Sequence, residues 1–289
     1  MSEIQSVLID WYGQNARDLP WRTENRSPWG VLVSEIMLAQ TPVSRVEPIW
    51  TRWMERWPTP ADLAEADPAE VIRAWDRLGY PRRALWLHEA ARTCVDQFAG
   101  EVPATYDELR ALKGVGDYTA SAVLAFAFGQ RSIVLDTNVR RVLARIWHGA
   151  ESPKPHITAA ERTLADDQAP IDDKTAAQWA IAVMEFGALI CTSVNPQCDA
   201  CPVQASCSWN IAGRPAGPAR KTQKFTGTDR QVRGKLMAVL RAATEPVPRA
   251  TLDLVWPDAI QRERALDGLV ADGLVDPVSR DHFALPTKK

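Results

Sequence analysis

Four cysteines of the 289-residue chain have the spacing of a metal-holding loop. Cys191, Cys198, Cys201 and Cys207 read C-x6-C-x2-C-x5-C directly after Gly187-Ala188-Leu189-Ile190, while Cys94 lies far away. Four thiolates within seventeen residues can wrap one centre, and Pro196 and Pro202 stiffen the loop. The short C-x-x-C pair suits zinc as well as a 4Fe-4S cluster, so spacing alone leaves both open.

Two carboxyls offer acid–base chemistry. Glu35 sits among Val31, Leu32, Ile36, Leu38 and Ala39; partial loss of water there would raise its pKa and let it hold a proton near neutrality, as a general acid must. The plainer reading is a solvated Glu on an amphipathic helix. Asp136 follows Ile133-Val134-Leu135 and precedes a helix starting near Thr137. It is expected to be an N-cap whose carboxylate the helix N–H groups keep ionised. A third motif, Leu112-Lys113-Gly114-Val115-Gly116-Asp117-Tyr118-Thr119-Ala120, is a helix-hairpin-helix pattern. Its glycines permit a tight turn that exposes N–H groups at a helix start and could hold one phosphate, although an ordinary glycine turn between helices looks similar.

Helices must position these groups. Ser27 and Pro28 cap and start a segment in which Trp29, Leu32, Val33, Ile36 and Met37 recur at helical spacing until Pro42. Further helices are predicted over Val43–Arg56, Pro68–Leu78, Arg83–Phe98, Tyr106–Leu112, Thr119–Phe128, Thr137–Trp147, Thr158–Asp167 and Thr175–Cys191. Thr105 with Glu108 makes a capping box. A mainly α catalytic domain is therefore expected over 1–211. Residues 212–228, with three Gly, two Pro and four basic side chains, read as a basic linker. Three short helices (Arg230–Arg241, Arg249–Val255, Ile260–Ala271) and a hairpin within Gly273–Leu285 then suggest a small winged-helix-like module over 229–289.

Composition narrows the class. Hydrophobic residues at 46% and twelve Trp supply a core that a disordered chain lacks. The net charge of −2 argues against a surface that is polyanion-binding throughout, yet Ser208–Lys235 carries +6, for which a solvated linker is the bland account. The longest apolar stretch, Ala120–Gly129, is too short for the roughly twenty residues of a membrane span. Met1–Tyr12 contains Glu3 and Asp10 and lacks the features of a secretory signal, so a cytoplasmic protein without disulfides is expected.

From about Leu19 to Cys207 the chain resembles the helix-hairpin-helix DNA glycosylases with an iron-sulfur loop, and within them the A/G-specific adenine glycosylases of the MutY type. The matching pieces occur in family order: Leu19-Pro20-Trp21-Arg22, Ser34-Glu35-Ile36-Met37-Leu38-Ala39-Gln40-Thr41, Leu78-Gly79-Tyr80, the hairpin, Leu135-Asp136-Thr137-Asn138-Val139-Arg140-Arg141, and the cysteines. The resemblance implies a two-lobed α fold and a 4Fe-4S cluster on the four cysteines. It implies base excision repair on double-stranded DNA carrying A:8-oxoguanine or A:G, by a monomer that leaves an abasic site. Glu35 matches the acid that protonates N7 of adenine, and Asp136 the carboxylate that stabilises the oxocarbenium-like sugar, two carboxyls driven apart in pKa. Asn138 and Tyr118 match positions that hold the reacting sugar and water. Trp21 and Arg22 match the approach to the adenine pocket. Gln40, Thr41, Leu78 and Tyr80 match residues around the opposing base, and Gly114, Val115 and Gly116 form the phosphate-binding hairpin. Relatives that also cut the strand carry Lys where Tyr118 stands, so a monofunctional enzyme is implied.

Three departures stand out. Ala39 and Pro42 replace frequent Gln residues, Thr192–Gln197 carry no positive charge, and the 61 residues from Asp229 to Lys289 are too few for the Nudix-like domain that often reads 8-oxoguanine. The competing readings are a glycosylase for T or U opposite G and a non-catalytic DNA-binding protein.

Overall fold

The computed structural model describes residues 1–218 and 225–288. Residues 219–224, which hold Arg220, Lys221 and Lys224 of the expected linker, lie outside the described residues. In chain order the elements are α1 (Glu3–Asn15), α2 (Pro28–Leu38), α3 (Val43–Arg56), α4 (Pro60–Ala64), α5 (Pro68–Ala74), α6 (Arg82–Gln97), α7 (Tyr106–Ala111), α8 (Asp117–Phe126), α9 (Thr137–His148), α10 (Ala159–Asp167), α11 (Asp173–Leu189), α12 (Ser208–Ile211), α13 (Asp229–Ala242), β1 (Val247–Pro248), α14 (Arg249–Asp253), α15 (Ala259–Ala271), β2 (Asp276–Ser279) and β3 (His282–Ala284). The fold is mainly α, and its local signals are those expected. The Gly30 N–H donates to Ser27 Oγ at 3.0 Å, and Thr105 and Glu108 hydrogen-bond reciprocally at the start of α7.

The chain forms two compact units. The first comprises Met1–Glu35, Pro103–Ala111 and Val115–Arg220. Its core joins Leu8 of α1 to Val139, Val142, Leu143 and Ile146 of α9 and to Trp179, Val183 and Phe186 of α11. Trp11 stands edge-on to Phe186, with ring centroids 5.3 Å apart. Helix α1, not singled out from the sequence, is capped at its N-terminus by a reciprocal box of Ser2 and Gln5.

The second unit comprises Ile36–Val102, Leu112–Gly114 and Lys221–Lys289. Trp53, Trp57 and Trp75 pack edge to face within it. Helix α5 ends at Ala74, not at Leu78 as the spacing predicted, because the chain turns through left-handed backbone at Asp76, Gly79 and Tyr80. The segment from α13 to β3 belongs to this unit. Its core of Val232, Leu236, Leu240, Leu252, Leu266, Leu269, Leu274 and Phe283 also takes in Ala69 and Ile72 of α5. The short strands form one antiparallel sheet ordered β1-β3-β2, and β1 adds a strand to the hairpin read from the sequence. Side chains reinforce the attachment: Arg82 pairs with Asp272 at 3.0 Å, and Arg73 donates to the Ala243 carbonyl.

Candidate active site and thiol-lined pocket

Glu35 lies on α2, preceded by the buried run Val31, Leu32, Val33 and Ser34, and is itself only 3% exposed. Burial raises its pKa from 4.5 to about 7, and the nearby Asp136 charge adds to the rise, whereas the Tyr118 hydrogen bond and the Arg22 charge oppose it. This carboxyl can therefore hold a proton near neutral pH. Tyr118 sits in the first turn of α8, and its hydroxyl donates to Glu35 Oε2 at 2.7 Å. Burial beside two carboxyls holds that phenol protonated, well above its ordinary pKa.

Asp136 is the N-cap of α9, as its sequence context predicted, and accepts from the Val139 N–H at 2.6 Å. Burial pushes its pKa up from the ordinary carboxylate value, while the hydrogen bonds from Val139 and Asn138 and the charge of Arg141 restrain the rise. The two carboxyls still differ in the expected sense, because Glu35 lacks comparable donors.

A polar relay runs from Asp136 along α9. Asn138 Nδ2 donates to Asp136 Oδ2 at 2.8 Å, and Asn138 Oδ1 accepts from Arg141 Nη2 at 2.7 Å. Arg141 also donates to the carbonyls of Gly187 and Cys191, at 2.6 and 2.7 Å. Gly187 lets α11 approach closely, since a Cβ there would lie 2.8 Å from Asn138 Cβ and 2.9 Å from its carbonyl oxygen. One turn along, the Arg145 guanidinium stacks over Trp209, and its Nη1 reaches Cys191 Sγ at 3.3 Å and the Thr192 carbonyl at 2.8 Å.

Cys191, Cys198, Cys201 and Cys207 line one hollow of about 350 Å³, including its open mouth, together with Arg145, Phe186 and Trp209. Among the described residues no three His, Cys, Asp or Glu groups come close enough to hold a single metal ion; the four sulfurs stand around the hollow. Arg145 is almost wholly buried, and its Nη2 has no hydrogen-bond partner. A buried cation with a spare N–H beside four thiols fits an anionic group that carries sulfur acceptors, as a thiolate-ligated cluster does.

A buried acid absent from the sequence reading completes the site. Glu185, on α11, is fully buried and takes a two-pronged bond from Arg17, through Nε at 2.7 Å and Nη2 at 2.6 Å. Arg22 Nη1 lies 3.0 Å from Glu185 Oε2, within ion-pair distance but without hydrogen-bond geometry. Burial alone would raise Glu185, but the Arg17 bond and the charges of Arg22 and Arg17 outweigh it and hold the carboxyl below its ordinary pKa.

A family model described as HhH-GPD superfamily base excision DNA repair protein matches residues 33–165. An adenine DNA glycosylase of Mycolicibacterium smegmatis is 52% identical over 287 residues, covering 99% of this chain and 97% of its own. The chain belongs to the adenine DNA glycosylase family. A second such glycosylase, from Mycobacterium tuberculosis, is 50% identical over 96% of this chain and 92% of its own. A thermostable thymine-DNA glycosylase has a similar structure (TM-score 0.65, 28% identity), covering 72% of this chain and 95% of that one.

In this DNA glycosylase the remaining expected site residues divide by exposure. Trp21 is buried and Arg22 largely so. Gly114 adopts φ +80°, where a Cβ would also meet Trp86 Cβ at 3.0 Å, whereas Gly116 caps α8 in extended backbone that any residue could adopt. Val115 is buried, and its carbonyl accepts from Arg110. Gln40, just after α2, and Tyr80, in the turn after α5, are exposed and both have left-handed backbone. Leu78 (3% exposed) and Thr41 are buried, the Thr41 hydroxyl donating to the Leu78 carbonyl and accepting from Arg83. These two side chains support the turn from inside, whereas Gln40 and Tyr80 are open to solvent.

Proposed function

We propose that this glycosylase hydrolyses the bond between deoxyribose and adenine mispaired with 8-oxoguanine or guanine and leaves an abasic site in an intact strand. The observation that carries this reading is the Glu35 carboxyl, buried, protonated near pH 7 and held by the Tyr118 hydroxyl, in the same unit as Asp136. Glu35 would give its proton to N7 of the extruded adenine. The C1′–N9 bond then breaks with its electron pair leaving on the base, and the Asp136 carboxylate stabilises the cationic sugar. Water adds to C1′ and loses a proton to the Glu35 carboxylate, restoring the acid. Asn138 orients Asp136, and Tyr118 orients Glu35.

Arg22 Nη1, which has no hydrogen-bond partner among the described residues, lies beside Glu185 Oε2, and the pair would give N1 and the 6-amino group of an extruded adenine a donor and an acceptor. A pyrimidine has no N7 to take the proton, and the identity to adenine glycosylases exceeds that to the thymine-DNA glycosylase structure. These points favour adenine over thymine or uracil. The presence of both carboxyls favours an enzyme over a passive DNA-binding scaffold. On the DNA side, the glycine hairpin would hold a phosphate, and Gln40 and Tyr80 would face the opposing base.

Tyr118 has no amine with which to form a Schiff base. The DNA product from an A:8-oxoguanine duplex is therefore expected to stay unbroken until hot alkali, and borohydride should trap almost no covalent complex. Efficient trapping and spontaneous nicking would assign catalysis to an amine nucleophile.

The four cysteines would hold a 4Fe-4S cluster, which ties the 191–207 loop together when bound and enters no step of base removal. Protein purified without oxygen should be brown, with broad absorbance near about 400 nm from thiolate-to-iron charge transfer. Cys94→Ser should keep the colour, since that thiol is buried in the other unit. Stoichiometric zinc with negligible iron would contradict the cluster.

A further inference from the structure

The segment from Phe225 to β3 is too short for a Nudix-like reader, yet it brings Arg230, stacked on Phe225, to the turn that carries Tyr80. Arg230, exposed in the first turn of α13, donates from Nη1 to the Tyr80 hydroxyl at 3.4 Å. Its guanidinium carbon lies 5.0 Å above the Phe225 ring. Both rings remain open to solvent, Tyr80 at 47% and Phe225 at 50% exposure. Among the described residues no carboxylate lies within ion-pair distance of Arg230, whereas Arg233, Arg249, Arg262 and Arg264 of the same segment each have an acidic partner.

The arrangement is built and not a chance contact of loose side chains. The Phe225 carbonyl accepts from the N–H and the hydroxyl of Thr228, which fixes the turn leading into α13. Gln261 of α15 donates to the Gly227 carbonyl and to Asp229, and Arg264 grips Asp229 with two bonds of 2.7 Å. On the other side, Gly79 and Tyr80 are held in left-handed backbone, and the Arg83 guanidinium lies 5.5 Å from the Tyr80 ring.

Two half-exposed aromatic faces around an arginine without a counter-charge suit a nucleobase better than a phosphate. Phosphate gains nothing from a ring face, whereas bases stack on such faces and a guanidinium donates to the carbonyl oxygens of a purine edge. We infer that Arg230, with Phe225, contacts the purine opposite the target adenine, so that the C-terminal segment supplies opposing-base specificity. The inference rests on the reading that Tyr80 faces that base. It makes Arg230 a specificity residue, outside the acid–base machinery.

The test uses the full chain and duplexes carrying a tetrahydrofuran abasic analogue opposite 8-oxoguanine, guanine or thymine, with binding measured at several salt concentrations. Wild type should bind the 8-oxoguanine duplex more tightly than the thymine duplex. Arg230→Ala and Arg230→Lys should each reduce that preference by about tenfold, because a lysine keeps the charge but loses the planar fork, and Phe225→Ala should reduce it too. Equal weakening on all three duplexes by Arg230→Ala, with recovery in Arg230→Lys and a salt slope smaller by about one, would mean a phosphate contact and overturn the inference. An unchanged preference in all three variants would also overturn it. If wild type itself shows no preference, the reading of Tyr80 fails first, and this inference with it.

Discussion

Glu35→Gln is expected to bind an A:8-oxoguanine duplex and to lose base excision by about 100-fold or more, because an amide keeps the shape and the Tyr118 contact but has no proton to give. In wild type the acid form declines as pH rises through about 7, so the single-turnover rate should level off below that pH and fall about tenfold per unit above it. The same burial has a cost in stability. Raising a carboxyl from 4.5 to about 7 makes its ionised form unfavourable by about 3 kcal/mol once pH exceeds the folded-state value. The native state is thus favoured below about pH 4.5, where Glu35 is protonated in both folded and unfolded chains, and loses that advantage as pH rises to about 7. Glu35→Gln should therefore be more stable than wild type above pH 7, by up to about 3 kcal/mol, with the gap closing toward pH 4.5 in denaturant titrations. Full excision by the variant would identify a different acid.

Asp136→Asn is expected to cost about 100- to 1,000-fold in the chemical step, since it removes the negative charge facing the developing sugar cation. The change reaches further than charge. One oxygen of Asp136 accepts from the Val139 N–H and the other from Asn138 Nδ2. An amide that keeps the first bond turns its NH2 group toward the Asn138 NH2, so Asn138 must flip and give up its acceptor contact with Arg141. A loss of about 1 kcal/mol of stability should accompany the loss of rate, within the range of a weakened helix cap. Single-turnover rates separate the two effects, because the rate deficit should persist at temperatures where the variant is fully folded.

Much of this site was legible in the chain because local rules wrote it. Asp136 caps α9 where an apolar run meets Asp-Thr-Asn, and Glu35 is buried where its helical neighbours are apolar. Helices α3 and α9 begin where Pro42 and Asp136 placed them. Residues whose roles depend on distant partners were not legible. Glu185 was passed over, because its partners Arg17 and Arg22 come to it from the distant N-terminal segment. No role was read for Arg141 or Arg145, yet with Asn138 they form an inward stripe at helical spacing. That spacing was the available signal. Leu78 shows the opposite error: a helix extended by periodicity alone ran past Ala74, because the left-handed turn at Asp76 and Gly79 has no hydrophobic period to mark it. The contact of Arg230 with Tyr80 joins residues 150 positions apart, and no local pattern announces it.

The most direct test is single-turnover base release from four duplexes identical except at one pair: A:8-oxoguanine, A:G, T:G and U:G. Free adenine should appear from the first two, fastest opposite 8-oxoguanine, with thymine and uracil retained. Release of thymine or uracil at rates matching or exceeding that of adenine would contradict adenine as the substrate and the assignment of Glu35 as the acid that protonates N7.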